Sequence, residues 1–147
     1  MTTSVAILGA GKIGAAIAHL LGATGDYTLT VFDRDPIRLQ AVAAAGVATE
    51  AVDLGDAALL AARLATTDVA VNAAPYFLTL PIARAARTAQ VHYFDLTEDV
   101  VSTRAVRDIA TGAQTVFMPQ CGLAPGFISV VAADLARHDL GDAQPAR

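Results

Sequence analysis

The chain has 147 residues, of which 54% are hydrophobic and 16% charged, and its formal net charge at neutral pH is −4. This composition predicts a compact globular domain and argues against a nucleic-acid-binding protein, because the ten lysines and arginines are few and scattered. The single cysteine, Cys121, excludes an internal disulfide and a cysteine-based zinc site, so we expect a reducing, cytoplasmic setting and a small-molecule partner.

The first predicted element is the apolar run Val5–Leu8, which leads into Gly9, Gly11 and Gly14. An apolar run without alternation is typical of a strand that is buried on both faces of a parallel sheet. Gly9 suits a tight turn, Gly11 lets a pyrophosphate approach the backbone, and Gly14 lets the next helix pack closely on the sheet. The pattern predicts a dinucleotide site at the helix start, where free N–H groups and the helix dipole favour negative charge.

The helix continues through Ala15–Leu21, and a second apolar run, Tyr27–Phe32, predicts the next strand. This strand ends at Asp33, about 20 positions after the last glycine, where an acid can accept both hydroxyls of an adenosine ribose. The apolar face of the helix is predicted to consist of Ile13, Ile17, Leu20 and Leu21.

Three charged residues lie near the predicted cofactor site, and two of them bear on the choice between NAD and NADP. The Asp33 carboxylate would repel a 2′-phosphate, whereas Arg34 beside it would attract one, and on balance we expect NAD rather than NADP. Lys12 lies inside the phosphate turn, where contact with phosphate and exposure to solvent are equally good interpretations.

Beyond Asp33, helical and strand patterns alternate. The predicted helices are one from Pro36 to Gly46 capped by Asp35, one capped by Asp56, and those at 78–88, 102–111 and 127–137; the predicted strands are 47–52, 68–73, 91–94 and 115–118. Alternation of this kind predicts an α/β fold, a Rossmann-type doubly wound parallel sheet of about six strands in the order 3-2-1-4-5-6, over residues 1–137.

Residues 138–147 are polar and predict a linker or the start of a further domain. The most apolar window, 69–86, is interrupted by polar residues and prolines, which favours a core segment over a membrane span.

In such a sheet the ligand lies outside the carboxyl ends of the strands, where the strand order reverses. The residues expected to bind the cofactor there are Gly9, Gly11, Lys12, Ile13, Gly14, Asp33, Arg34, Asn72, Ala73 and Ala74.

Hydride transfer from an amine or alcohol also needs a positioned acid or base, and the sequence offers two candidates. Asp95 would orient a substrate amine or cap the turn towards Thr97, and Cys121 is a reactive thiol or a small packed side chain. No metal-ligand spacing of histidines and acids is present in the sequence. Either Asp95 or Cys121 serves, or residues outside this chain complete the chemistry.

Four stretches together carry a family resemblance: Gly9–Gly14, Asn72–Tyr76, Tyr93–Glu98 and Met118–Phe127. They resemble the N-terminal domain of saccharopine dehydrogenase-like proteins, including lysine 6-dehydrogenase, and the Cys-Gly-x-x-Pro-Gly loop at 121–126 is much more specific than the glycine turn alone. The resemblance implies that the three glycines and Asp33 hold NAD(P), and that Tyr76, Asp95 and Cys121 lie at the substrate side. It also implies a larger substrate domain with oligomer contacts, so we expect this sequence to be truncated and inactive alone.

The resemblance implies an NAD(P)-dependent dehydrogenase acting on the C–N bond of an amino acid, with lysine or a saccharopine-like adduct as substrate. Hydride would pass between the substrate carbon and nicotinamide, giving an imine that water hydrolyses. One alternative is a nucleotide-sensing regulatory domain of a potassium transport system, which has the same glycine turn but no need for the 121–126 loop. Another is a polyamine-forming reductive synthase of the same superfamily.

Overall fold

The computed structural model describes residues 2–139, which form a six-stranded parallel sheet in the order β3-β2-β1-β4-β5-β6. The predicted Rossmann-type fold and strand order are therefore confirmed. The strands are β1 (Thr3–Leu8), β2 (Tyr27–Asp33), β3 (Ala48–Ala51), β4 (Val69–Asn72), β5 (His92–Asp95) and β6 (Phe117–Met118). The helices are α1 (Lys12–Thr24), α2 (Pro36–Ala43), α3 (Ala57–Leu64), α4 (Thr79–Ala89), α5 (Val100–Ala110) and α6 (Ile128–Asp139), with short helical turns at Tyr76–Leu78 and Leu123–Phe127.

Strand β1 forms the centre of the sheet and pairs with β2 on one side and β4 on the other. Its side chains alternate between two cores, because successive residues of a strand point to opposite faces. Ala6 and Leu8 belong to the core that includes residues of α3, α4 and α5, whereas Val5 and Ile7 belong to the core that includes residues of α1 and α2. Burial on both faces explains why the run is apolar without alternation.

Aspartate side chains cap the N termini of three helices, α2, α3 and α5. The carboxylate of Asp35 accepts hydrogen bonds from the backbone at the start of α2, and that of Asp56 does the same for α3, so both predicted caps are confirmed. An unpredicted cap, Asp99, accepts a 2.6 Å hydrogen bond from the Ser102 N–H and starts α5 at Val100 rather than at Ser102.

The predicted apolar face of α1 is wrong at two positions, since Ile13 is 56% exposed and Leu20 is 67% exposed. The buried residues of this helix are Gly14 and Ala18, because α1 approaches the sheet so closely that small residues occupy the contact.

Two boundaries near the end of the chain also differ from the prediction. Strand β6 is confined to Phe117–Met118, and α6 starts at Ile128 and includes His138 and Asp139, which were assigned to a linker. The rest of that predicted linker, 140–147, lies outside the described residues. Within residues 2–139, no helix has the length and apolar character needed to cross a membrane.

The turn between β1 and α1 depends on two glycines. Gly9 has a φ of +111°, and a Cβ there would lie 3.0 Å from the backbone carbonyl of Ala73. A Cβ at Gly14 would overlap the carbonyl oxygen of Gly9. The turn, the start of α1 and the end of β4 are therefore in backbone-to-backbone contact.

We predict that Gly14→Ala destabilises the fold by about 2–3 kcal/mol, because the added methyl group overlaps backbone that is fixed by the sheet. Gly11→Ala is the matched control, since a Cβ at Gly11 meets no atom within 4 Å. It should change the free energy of unfolding by less than about 1 kcal/mol. Urea unfolding followed by circular dichroism measures both values, and equal stabilities would contradict the close approach.

Candidate functional site

The N terminus of α1 is open at the carboxyl edge of the sheet. Gly11 is its N-cap residue, with ordinary dihedral angles of −70° and −175°, and no side chain caps the helix. The first N–H groups of a helix have no partner within the helix, so they are free to bind an anion. Because the fold leaves open space at Gly11, the glycine there is explained by access to the backbone rather than by packing.

Asp33 lies beside this turn at the end of β2 and is only 8% exposed. One carboxylate oxygen accepts a 2.7 Å hydrogen bond from the Ala10 N–H, and the other accepts a 2.9 Å bond from the Asp35 N–H. A carboxylate oxygen has two lone pairs, so both oxygens keep capacity for ribose hydroxyls. Asp33 therefore holds the glycine turn and can also bind a ligand, a double role that the sequence did not reveal.

Two basic side chains named with the cofactor site, Lys12 and Arg34, are both exposed. Lys12 is the first residue of α1, and Arg34 directly follows β2. Their charges are therefore solvated, and neither side chain contributes to a packed core.

A cavity of about 400 Å³ lies where the ends of β4 and β5 meet the start of α1. Its walls are Ile13 of α1, the segment Asn72–Ala74, Tyr76 and Thr79 before and within α4, and the segment 96–99. Tyr76 is 70% exposed at the rim, with its ring edge-on to Phe77 at 5.9 Å between centroids. The residues predicted for the nicotinamide and substrate side divide here: Asn72, Ala73, Ala74 and Tyr76 line the cavity, whereas Asp95 and Cys121 are not among the described residues that line it.

Beneath the cavity, three buried polar side chains form one hydrogen-bonded chain. The Asn72 amide nitrogen donates to the Tyr93 hydroxyl at 3.1 Å, and that hydroxyl donates to Asp95 at 2.9 Å. The amide oxygen of Asn72 accepts from the Ala74 N–H at 3.0 Å. Both polar atoms of the Asn72 side chain therefore bond within the protein, and Asn72, Ala73 and Ala74 all line the cavity.

Asp95 has no exposed surface, and its carboxylate accepts three hydrogen bonds. One carboxylate oxygen accepts the bond from the Tyr93 hydroxyl. The other accepts hydrogen bonds from the N–H groups of Thr97 at 3.0 Å and Gln120 at 3.1 Å. The bond to Thr97 is the capping interaction that the sequence left as one alternative. In this arrangement the carboxylate fixes loops and is shielded from a substrate.

Cys121 follows β6 in a loop bound to the same aspartate, since its N–H donates to the Asp95 carbonyl oxygen at 2.7 Å. Its thiol donates to the carbonyl oxygen of Met118 at 3.2 Å. Partial burial, and then the negative charge of Asp95, raise the pKa of the thiol above its ordinary value. These surroundings favour the neutral thiol, whereas a nucleophilic cysteine needs a lowered pKa.

The outer rim of the cavity is acidic. Glu98 and Asp99 line it, and hydrogen bonds from Ser102 hold the pKa of Asp99 below its ordinary value. No lysine or arginine is among the described residues that line this cavity. The rim therefore favours a positively charged group.

A larger groove, of about 820 Å³, lies between α1 and α2. It begins at the glycine turn and follows α1 to Ala23, lined largely by alanine and glycine, with Lys12, His19 and Arg38 as its charged or titratable residues. No acid or thiol is among the described residues that line this groove, whereas Glu98 and Asp99 line the smaller cavity at the strand ends.

Sequence reasoning missed two polar groups of the site. The pairing of β4 with β5 places Tyr93 in the site, because Asp95 lies opposite Asn72 and Tyr93 shares a face of β5 with Asp95. The Thr97 hydroxyl is buried at the cavity without a hydrogen-bond partner, and no sequence signal distinguishes it from a surface threonine.

A family model described as the saccharopine dehydrogenase NADP binding domain matches residues 5–118. A search of curated proteins gave no match.

Solved structures with the same fold include three relatives of low sequence identity. Saccharopine dehydrogenase (L-Glu forming) from Saccharomyces cerevisiae has a TM-score of 0.81 at 24% identity, over 90% of this chain and 30% of the yeast chain. An NAD binding oxidoreductase from Klebsiella pneumoniae has a TM-score of 0.71 at 20% identity, over 97% of this chain and 40% of its own. The TrkA-N domain of the inner membrane protein ybaL from Escherichia coli has a TM-score of 0.69 at 16% identity, over 92% of this chain and 97% of its own. At these identities the likeness shows the fold, and the chain spans less than a third of the yeast enzyme.

We predict that iodoacetamide alkylates Cys121 more slowly at neutral pH than it alkylates free cysteine. A raised pKa leaves less thiolate at any pH below it, so the rate should increase with pH through a midpoint above that of free cysteine. Mass spectrometry measures the rate without ambiguity, because the chain has one cysteine. The urea-unfolded chain is the internal control, and a folded-state midpoint at or below the unfolded one would contradict the assignment.

Proposed function

The chain belongs to the family of saccharopine dehydrogenase NADP-binding domains, and on that premise we propose that it holds the cofactor of an oxidoreductase acting on the C–N bond of an amino acid. The observation that carries the proposal is the combination of an uncapped helix start with open space at Gly11. Backbone N–H groups at a helix start bind a pyrophosphate with little need for basic side chains.

The residues of the crevice fit a dinucleotide. The N terminus of α1 would hold the pyrophosphate, and the free lone pairs of Asp33 would accept the hydroxyls of the adenosine ribose. The cavity bounded by Ile13, Ala73 and Thr97 would enclose the nicotinamide end. When bound, the nicotinamide supplies a carbon that exchanges hydride with the substrate.

For the cofactor type we propose NAD. Asp33 is buried beside the site, and its negative charge opposes a 2′-phosphate. The family description names NADP, and the exposed Arg34 next to Asp33 offers a positive charge for such a phosphate, so the balance between these two side chains decides the preference.

For the substrate we propose an amino acid that carries a cationic amine, such as lysine or a saccharopine-like adduct. The acidic rim at Glu98 and Asp99 supports this choice, because it attracts an ammonium group. Asp95 and the neutral Cys121 thiol position the loops on that side, so we propose that a further domain supplies the acid or base in the whole protein and that this chain alone is inactive. A homo-oligomer in a reducing, cytoplasmic setting belongs to the same proposal.

A nucleotide-sensing regulatory domain is the second candidate, and the fold likeness to the TrkA-N domain favours it. The match of the family model to residues 5–118 ranks it below the dehydrogenase, as does the Cys-Gly-x-x-Pro-Gly loop at 121–126, for which a regulatory domain has no need.

We predict that the chain binds NADH and that Gly11→Val weakens this binding at least about tenfold. The valine side chain would enter the open space through which the pyrophosphate reaches the backbone. A titration followed by NADH fluorescence gives both dissociation constants. Ala16→Val, which places the same side chain on the exposed side of α1, should bind like the unmodified chain. Absence of binding to the unmodified chain, or equal binding by Gly11→Val, would remove the proposal.

A second prediction concerns the 2′-phosphate. The unmodified chain should bind NADH about tenfold more tightly than NADPH, and Asp33→Asn should narrow this ratio, because it removes a charge while keeping an oxygen for the Ala10 N–H. Asp26→Asn, at an exposed turn, is the matched control and should leave the ratio unchanged. Tighter binding of NADPH by the unmodified chain would show that Arg34 outweighs Asp33.

A further inference from the structure

Among the described residues, Tyr93 has the largest side chain with no exposed surface, and its hydroxyl lies between two loops of the cavity. In β5 it neighbours β4 on one side and β6 on the other. Its ring packs against Phe117 with 5.4 Å between centroids. A phenylalanine would preserve this packing, so the buried hydroxyl needs a separate explanation.

The direction of each hydrogen bond at the hydroxyl is fixed. The Asn72 amide nitrogen can only donate, and the Asp95 carboxylate can only accept, so the phenolic proton points to Asp95. Burial, and then the charge of Asp95, raise the pKa of Tyr93 far above its ordinary value, so the hydroxyl keeps its proton. The Tyr93 hydroxyl therefore joins Asn72 to Asp95 in one orientation.

Both ends of this chain terminate on backbone N–H groups of functional loops. At one end Asn72 accepts from Ala74, in the loop that forms one wall of the cavity. At the other end Asp95 accepts from Thr97, in the opposite wall, and from Gln120, in the loop before Cys121. Gln120 has a φ of +66°, a left-handed backbone conformation that is uncommon for a non-glycine residue. One phenol thus links three loops.

The adenosine side has hydrogen bonds of its own, in addition to the contact of Gly9 with the backbone of Ala73. Gly9 donates to the Phe32 carbonyl oxygen at 2.7 Å, and Ala10 donates to Asp33. None of these bonds involves Tyr93, Asn72 or Asp95. Loss of the phenol hydroxyl should therefore disturb one half of the dinucleotide site and spare the other.

We propose that Tyr93 is a positioning residue whose hydroxyl holds the β4 and β5 loops at the spacing that the nicotinamide ring requires. The inference rests on the proposed placement of nicotinamide in the cavity between those loops. Tyr93 itself touches no ligand and acts through Ala74 and Thr97.

The test compares two ligands that share the adenosine half, NADH and ADP-ribose, by isothermal titration calorimetry. Tyr93→Phe should weaken NADH binding about tenfold, because Asn72 and Asp95 each lose a buried partner and their loops lose a common anchor. ADP-ribose, which lacks nicotinamide, should bind within about twofold of the unmodified chain. Tyr27→Phe, a tyrosine 38% exposed at the start of β2, is the control and should affect neither ligand.

Other results would overturn either the proposed placement of nicotinamide or the positioning role of Tyr93. If the unmodified chain binds NADH no more tightly than ADP-ribose, nicotinamide brings no gain in affinity. The proposed placement of the ring in the cavity is then wrong, whatever Tyr93→Phe does. If that gain exists and Tyr93→Phe keeps it, or if both ligands weaken equally, the positioning role is overturned. Should Tyr93→Phe not fold, Asn72→Ala, which leaves the bond from Tyr93 to Asp95 intact, must show the same selective loss of NADH binding.

Discussion

The missing side chain at Gly14 allows α1 to begin directly against the carbonyl oxygen of Gly9. Because Gly9 in turn lies against the backbone of Ala73, the first turn, the first helix and the end of β4 form one contact. This contact sits where the strand order reverses, between β1 and β4. It brings the open N terminus of a helix beside the crevice that such sheets use for ligands.

The two halves of the crevice are built by different physical means. On the side of the glycine turn, backbone groups dominate, and Asp33 adds one buried carboxylate that fixes the turn. On the other side, a buried chain through Tyr93 sets the positions of loops that carry few ligand-facing polar atoms of their own. Buried polar groups of this kind are costly unless all are paired, so the chain specifies one arrangement of the loops.

The sequence pattern predicts most of the fold but only part of the site. Alternating patterns, glycine spacing and the aspartate caps at Asp35 and Asp56 predicted the element order and the strand order. The apolar face of α1 was wrong at Ile13 and Leu20, since hydropathy does not reveal how closely a helix approaches a sheet. The burial of Asp95 was not predictable either, because one of its partners is the distant Gln120 amide. Which residues touch cofactor or substrate stays a prediction.

The central claim is that a pyrophosphate binds at the N terminus of α1. Amide NMR spectra of the isotope-labelled chain, recorded with and without NADH, test it directly. We expect the largest shifts at the N–H groups of Gly11, Lys12 and Ile13, which begin the helix. Largest shifts at Gly22 and Gly46, which line the groove between α1 and α2, or no shifts at all, would contradict it.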